Sequence, residues 1–322
     1  MFERLTPQAV RAAAKRIAAH IKRTPLIRSK GLSEIARGDV YLKLEIEQNT
    51  GSFKLRGALN ALGCLTPEQK RAGVVASSAG NHGMGVASAA KTLGIKAKVY
   101  VPRTAPQVKK DGIKAMGAEL DDSAPDYDAA MAIAIADGKR TGRPFINPCL
   151  GDDLIAGQGT VALEIIEDLP ALKSLVVNVG GGGLLGGCAS LLRNERPDVK
   201  IYGSQSVNTA AMSKSMAAGK IVDIPSVPTL ADGLAGVIDA DGFEIGQRSL
   251  DKIVTLSEDE IAKAIAWLQR EHGKRSEGAG ACATGAVLFK KIAVETPCAV
   301  IVSGGNIDEA RWKQVLDAQR SV

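Results

Sequence analysis

Aromatic residues are scarce in this chain: 3% of 322 residues, as two Trp, four Tyr and five Phe. Binding nucleic acid by stacking needs aromatics interleaved with a clustered basic stripe. The net charge of +6 comes instead from Lys and Arg scattered along the chain, without a long block of like charges. We read it as a colloidal charge that helps attract an anionic substrate or cofactor. Only three histidines occur (His20, His82, His272), with no HxxxH pattern and no cysteine cluster, which argues against a zinc site. The five cysteines (Cys64, Cys149, Cys188, Cys282, Cys298) form no CxxC pair, and most sit among small apolar residues. They read as reduced core positions. No apolar run approaches the roughly eighteen residues that span a bilayer. The opening MFERLTPQAVRAAAKR lacks the basic, apolar, small-residue order of a secretory leader. We therefore expect a cytoplasmic protein with neither a membrane nor a nucleic acid as partner.

What remains is globular composition, 45% hydrophobic and 24% charged, which excludes a wholly disordered chain. The length suits roughly two domains or one large α/β unit. Short β-rich runs at 40–44, 73–77, 97–101, 118–120, 175–179, 200–204, 252–256 and 299–302 alternate with helical stretches. The helices are expected from Pro7 to about Lys22 and at 81–93, 106–116, 126–138, 158–167, 184–194, 258–272 and 279–290. Several of the strands are continuously apolar, as when helices cover both faces of a sheet. The pattern predicts a doubly wound α/β protein.

Four segments are too rich in glycine or polar residues for plain core elements. In Asn49-Thr50-Gly51-Ser52-Phe53-Lys54-Leu55-Arg56-Gly57, a polar turn enters a helix with Lys54 between two apolar residues. Burial there would disfavour its charge, and a neutral amine can attack a carbonyl and hold it as a Schiff base. In Ser77-Ser78-Ala79-Gly80-Asn81-His82-Gly83, a strand turns into a helix. Its free N–H groups, with side-chain donors from Ser78, Asn81 and His82, suit an anion. Val179 is followed by Gly180, Gly181, Gly182 and Gly183 at a helix start, a loop able to wrap a phosphate. The literal dinucleotide fingerprint there lacks its acidic partner, since the next strand ends at Gln205. In Ile301-Val302-Ser303-Gly304-Gly305-Asn306, Ser303 closes an apolar strand, at the sheet end where doubly wound proteins bind ligands. An amine, a phosphate cradle, an anion-binding turn and a hydroxyl at a sheet end are together what pyridoxal phosphate requires.

SFKLRGA, SAGNHG, GGGGLLGG and VSGGN, in this order, resemble the fold-type II pyridoxal-phosphate enzymes of the serine/threonine dehydratase and serine racemase group. Thr24-Pro25-Leu26, AGQGT at 156–160 and EGAGA at 277–281 extend the resemblance over essentially the whole chain. It implies two doubly wound α/β domains: a large cofactor-binding one of residues 1–47 and 149–322, and a small one of 48–148 inserted in it. Lys54 would carry the cofactor as an imine, with Phe53, Asn81, Gly180, Gly181, Gly182, Gly183 and Ser303 as further cofactor-binding positions. Asn81 would meet the ring hydroxyl, Ser303 the ring nitrogen, and the glycines the phosphate. Ser78, Ala79, Gly80, Asn81 and His82 would hold the carboxylate of an amino-acid substrate. The implied activity is loss of water from a 3-hydroxy amino acid of the threonine, serine or 3-hydroxyaspartate type, giving a 2-oxo acid and ammonia.

Two departures qualify this. Racemases of the group carry a serine where this chain has Ala79, and a methyl group cannot exchange a proton. Relatives with a divalent ion use acidic residues where this chain has Gln205 and Asn208-Thr209-Ala210-Ala211. Mg²⁺ prefers charged oxygens, so no metal is expected. The chain ends soon after VSGGN, which favours a catabolic enzyme without a regulatory domain, and relatives imply a homodimer. A β-replacement synthase or racemase on the same fold is the alternative enzyme. A phosphate-ligand sensor and a nicotinamide dehydrogenase are the readings further away.

Overall fold

In the computed structural model, residues 5–319 are described, apart from 226 and 237. Residues 1–4 and 320–322, the ends of the expected large domain, lie outside the described residues. The described chain opens with helix α1 (Pro7–Ile17), strand β1 (Leu26–Arg28), α2 (Lys30–Ala36) and β2 (Val40–Leu44). Helices α3 (Lys54–Gly63) and α4 (Pro67–Ala72) lead into β3 (Val74–Ser77), α5 (Asn81–Leu93), β4 (Ala97–Pro102), α6 (Gln107–Ala115), β5 (Glu119–Ala124) and α7 (Tyr127–Thr141). Then follow α8 (Asp152–Asp168), β6 (Ser174–Asn178), α9 (Gly183–Glu195), β7 (Lys200–Ser206), α10 (Ala211–Ala218) and α11 (Ala240–Ser249). The last elements are β8 (Lys252–Leu256), α12 (Glu258–His272), α13 (Gly278–Leu288), β9 (Cys298–Val302) and α14 (Glu309–Ala318).

Two sheets organise these elements. One has six strands in the order β1-β2-β9-β6-β7-β8, the other three in the order β3-β4-β5. Every pairing is parallel except β1 on β2. All residues of β6 and β9 are buried, which the apolar runs Leu175–Val177 and Cys298–Val302 anticipate for strands covered on both faces.

The differences from the sequence expectation are local. Helix α1 stops at Ile17 and a 3₁₀ turn covers Ala18–His20, so the helix is shorter than expected. Helix α8 starts at Asp152, ahead of the expected Gln158, because Gly157 and Gly159 are contact points within it. A Cβ on Gly157 would lie 2.6 Å from the Arg56 carbonyl, and one on Gly159 2.6 Å from the Gly187 carbonyl. Two residues apart is about 200° of helix rotation. Helix α8 therefore touches α3 on one side and α9 on the other, and it sets the spacing between the starts of those two helices. Strand β1 and helices α2, α4, α10, α11 and α14 were not expected, being short or lacking a strong apolar stripe. Thr66 with Gln69 does form a capping box at the start of α4, and Ser29, Asp239 and Asp308 cap α2, α11 and α14.

Beside this junction lies a buried ionic cluster. Arg56 forks onto Glu45 (Nε–Oε2 2.8 Å, Nη2–Oε1 2.9 Å) and onto Glu164 (Nη1–Oε1 2.7 Å, Nη2–Oε2 2.9 Å). Lys43 Nζ donates to Glu164 Oε2 at 2.6 Å and to the Thr24 carbonyl at 2.7 Å. Lys43, Glu45 and Arg56 are 0% exposed and Glu164 is 7%. Burial works against each charge, yet Arg56 is held above its ordinary pKa by Glu45 and Glu164, and Glu164 below its own by Arg56 and Lys43. The cluster fastens α3 to β2 and α8.

Candidate active site

Lys54 is the first residue of α3, and its half-buried ammonium donates to the Pro148 carbonyl at 2.6 Å. The Phe53 ring centroid lies 5.2 Å from Nζ. The segment before α3 pairs with the VSGGN loop: Phe53 N–H donates to the Ser303 carbonyl (3.1 Å) and Gly305 N–H to the Gly51 carbonyl (2.9 Å). Two of the four segments singled out in the sequence are thus hydrogen-bonded side by side. A third arrives with α5, where a Cβ on Gly85 would lie 3.2 Å from the Lys54 carbonyl carbon.

Pro148 links Lys54 to the fourth. The next residue, Cys149, backs the glycine loop so closely that a Cβ on Gly181 would fall 2.7 Å from its Sγ, and one on Gly183 2.7 Å from its carbonyl. Gly182 adopts φ +99° at the N-cap of α9, a left-handed conformation that glycine takes without strain. The first turn of α9 presents N–H groups that have no acceptor within the helix. An anion at this point meets both those donors and the positive end of the helix.

At the sheet end, Asn178 Nδ2 donates to Ser303 Oγ at 3.0 Å. That occupies Ser303 as an acceptor and leaves its hydroxyl hydrogen available to a further acceptor. In the SAGNHG turn, Gly80 N–H donates to Ser78 Oγ (3.1 Å), and α5 begins at Asn81. Ala79 and Gly80 are half-buried. Asn81 Nδ2 donates to Glu277 Oε1 at 2.6 Å, and Asn81 Oδ1 accepts from Asn306 Nδ2 at 2.7 Å.

One expectation needs correction here. The His82 side chain does not serve as an open donor: Nε2 is engaged with the Ile146 carbonyl at 2.9 Å, and the ring is buried. Burial, then repulsion from Lys54, pushes its pKa down to about 3 against the pull of that carbonyl. The imidazole is neutral and holds the turn, while the backbone of the turn is what can receive an anion. Glu277 goes the other way. Burial, then Asp232, raises its carboxyl to about 7, opposed by the Asn81 N–H and by Lys109 and Lys54.

Sequence reasoning missed Pro148, Cys149, Asn178, Glu277 and Asn306 as site residues. Asn147-Pro148 is a turn signal that could have flagged the first two, and Asn147 Oδ1 does accept from both Cys149 and Leu150 N–H. Gln205, placed in the sequence at a possible metal position, spends its amide on Thr209 O (3.0 Å) and Ser213 N–H (2.9 Å).

The residues fit pyridoxal phosphate on three counts. The glycine loop is a cradle that side chains would fill. Ser303 keeps a hydrogen to donate. Buried Thr50 Oγ1, Ser52 Oγ and Ser77 Oγ, which flank the site, have no hydrogen-bond partner among the described residues.

Comparison with known proteins points to the same cofactor. Residues 17–304 match the family model of the pyridoxal-phosphate dependent enzymes. An L-threonine ammonia-lyase of Thermotoga maritima is 40% identical over 94% of this chain and 76% of its own. A catabolic L-threonine dehydratase of Staphylococcus aureus is 37% identical over 96% of this chain and 91% of its own. The solved structure of maize serine racemase superposes with a TM-score of 0.91 at 30% identity, covering 98% of each chain.

Proposed function

This chain belongs to the pyridoxal-phosphate dependent enzymes, and from that premise we propose that it is an ammonia-lyase removing water from a 3-hydroxy amino acid, threonine or serine in type. The observation that carries the proposal is the setting of Lys54: an amine beside the VSGGN loop and the SAGNHG turn, and one residue removed, through Pro148, from the backing of the glycine loop. When bound, the cofactor supplies an electron sink for the pair released at Cα. Gly180, Gly181, Gly182 and Gly183 with the α9 N-terminus would hold its phosphate, Ser303 its ring nitrogen, Asn81 its ring hydroxyl, and Phe53 would lie against it.

Lys54 Nζ has two tasks, the covalent link and then removal of the Cα proton once substrate has displaced it. The N–H groups of the turn from Ser78 to His82 orient the substrate carboxylate. On that turn Ala79 offers a methyl group, so no proton returns from its side, and elimination is favoured over inversion. The likeness to maize serine racemase keeps racemisation as the second reading. A small domain of residues 48–148 closing over the substrate, and a cytoplasmic homodimer, belong to the same proposal.

The test is to incubate the purified protein with pyridoxal phosphate and a panel of 3-hydroxy amino acids, with sulfide present, and measure 2-oxo acid, ammonia and product stereochemistry. We expect 2-oxo acid and ammonia in equal amounts, abolished in Lys54→Ala. A sulfur-containing amino acid as main product would make it a β-replacement synthase, and a D-amino acid as main product a racemase.

A further inference from the structure

Four segments that are distant in sequence are joined across the site by one chain of amide hydrogen bonds. Asn306 Nδ2 donates to the Thr50 carbonyl at 2.8 Å and to Asn81 Oδ1 at 2.7 Å, and Asn81 Nδ2 donates to Glu277 Oε1 at 2.6 Å. Thr50 precedes Lys54, Asn81 opens α5, Glu277 caps α13, and Asn306 follows β9. We propose that Asn306 and Glu277 are positioning residues that clamp Asn81 and decide which end of its amide faces the ring hydroxyl of the cofactor. The proposal rests on the pyridoxal-phosphate reading above.

The two ends of an asparagine amide have nearly the same shape and differ only in whether they donate or accept. Asn306 Nδ2 spends its two hydrogens on two oxygens, so whatever it meets on Asn81 must be an oxygen. Ionised Glu277 only accepts, so its Oε1 must be met by N–H. A flipped Asn81 would set donor against donor at Asn306 and acceptor against acceptor at ionised Glu277, half-buried contacts that are costly to leave unmade. The clamp leaves one hydrogen of Asn81 Nδ2 uncommitted for an oxygen of the cofactor. Protonated Glu277 can donate as well as accept, so in that form Asn306 alone fixes the sense of the Asn81 amide, its other hydrogen being held by the Thr50 carbonyl.

The backbone makes room for the clamp on both sides. A Cβ on Gly304 would fall 2.3 Å from Glu277 Oε1 and 2.9 Å from Asn81 Nδ2. One on Gly51, which has φ +71°, would fall 2.5 Å from Asn306 Oδ1. Two glycines from the lysine and VSGGN segments therefore serve the asparagine of a third segment.

The experiment titrates pyridoxal phosphate into the full chain and its variants, reading the dissociation constant by equilibrium dialysis and the visible absorption of the bound form. Glu277→Leu and Asn306→Ala are each expected to bind about tenfold more weakly with a shifted band, the size of one lost hydrogen bond. Glu277→Gln, which keeps an accepting oxygen, should stay within about threefold of the parent. Because the clamp acts through Asn81, Glu277→Leu should cost nothing further in an Asn81→Ala background. Should Glu277→Leu not fold, Asn306→Ala and its own pairing with Asn81→Ala carry the same test. Parental affinity and spectrum in these variants, a Gln variant as weak as Leu, or a full additional loss in the Asn81→Ala background would each overturn the clamp. Failure of the cofactor reading looks different: borohydride reduction of the parent protein would then leave no adduct on Lys54.

Discussion

Two clusters of buried polar groups flank Lys54, and they are built in opposite ways. The first, around Arg56, holds four charges of balanced sign: two carboxylates, a guanidinium and an ammonium, joined in one chain from Glu45 through Arg56 and Glu164 to Lys43. The second, around Asn81, has neutral amides, a neutral histidine and a carboxyl that takes up a proton near neutrality. Among the described residues it leaves Thr50 Oγ1, Ser52 Oγ, Ser77 Oγ and His82 Nδ1 without partners. Buried polar atoms are bonded in the great majority of cases, and exceptions mark strain, function or a missing ligand. The first cluster is complete within the chain and fastens the helix that carries Lys54. The second keeps polar atoms that a cofactor or substrate could engage. Lys54 and Arg56 are two positions apart, so a reactive amine and a rigid anchor share the first turn of one helix.

The contrast can be broken most forcefully at Arg56. Arg56→Met leaves Glu45 and Glu164 with Lys43 as their remaining cation, and removing one partner of a buried ion pair costs about 3–5 kcal/mol. Urea denaturation should show that loss, with Arg56→Lys intermediate because an ammonium cannot fork onto two carboxylates. A loss under about 1 kcal/mol would place the cluster with exposed ion pairs.

A smaller effect comes from the second cluster as pH changes, and its two titrating groups have opposite signs. Glu277 rises from 4.5 to about 7 on folding, so the folded state binds the extra proton between those values and gains stability as pH falls. His82 drops from 6.5 to about 3, so the unfolded state binds the extra proton and the folded state loses stability as pH falls. Between pH 4.5 and 6.5 the two slopes, each about 1.4 kcal/mol per pH unit, cancel. In cofactor-free protein, Glu277→Gln should therefore make the chain acid-sensitive over that window, and His82→Gln should make it more stable on acidification. Thermal melts at several pH values would decide it, and parallel curves for both variants would refute the opposition.

The smallest effect should come from Lys109 and Asp232, an ion pair 3.4 Å apart that joins α6 to the loop ahead of α11. Both side chains are partly exposed, at 27% and 45%. Lys109→Met should cost under about 1 kcal/mol, and the difference should vanish in high salt. An effect comparable to that of Arg56→Met would mean that this partly exposed pair is as rigidly built as the Arg56 cluster.

The regular elements were legible where their signal is local. β6 and β9 lie within one residue of where the pattern put them, and α5 runs from Asn81 to its C-cap Gly94 as expected. Helix α8 was cut short because glycines inside a helix look like breakers until the helices against which they pack are known. Strand β1 is three residues long and lies at a sheet edge, too short for any period to declare itself.

Taken by itself, the order of residues determined the chemical parts: an amine between apolar neighbours, a glycine loop at a helix start, a polar βα turn and a hydroxyl at a strand end. Each is a property of a few consecutive residues, governed by local backbone geometry. Only the tertiary structure decided who partners whom. Asn306 bonds Thr50 across 256 positions, Asn81 bonds Glu277 across 196, and Arg56 bonds Glu164 across 108. Such pairings follow from how the helices approach one another through their glycines, and nothing in a run of neighbouring residues encodes that approach.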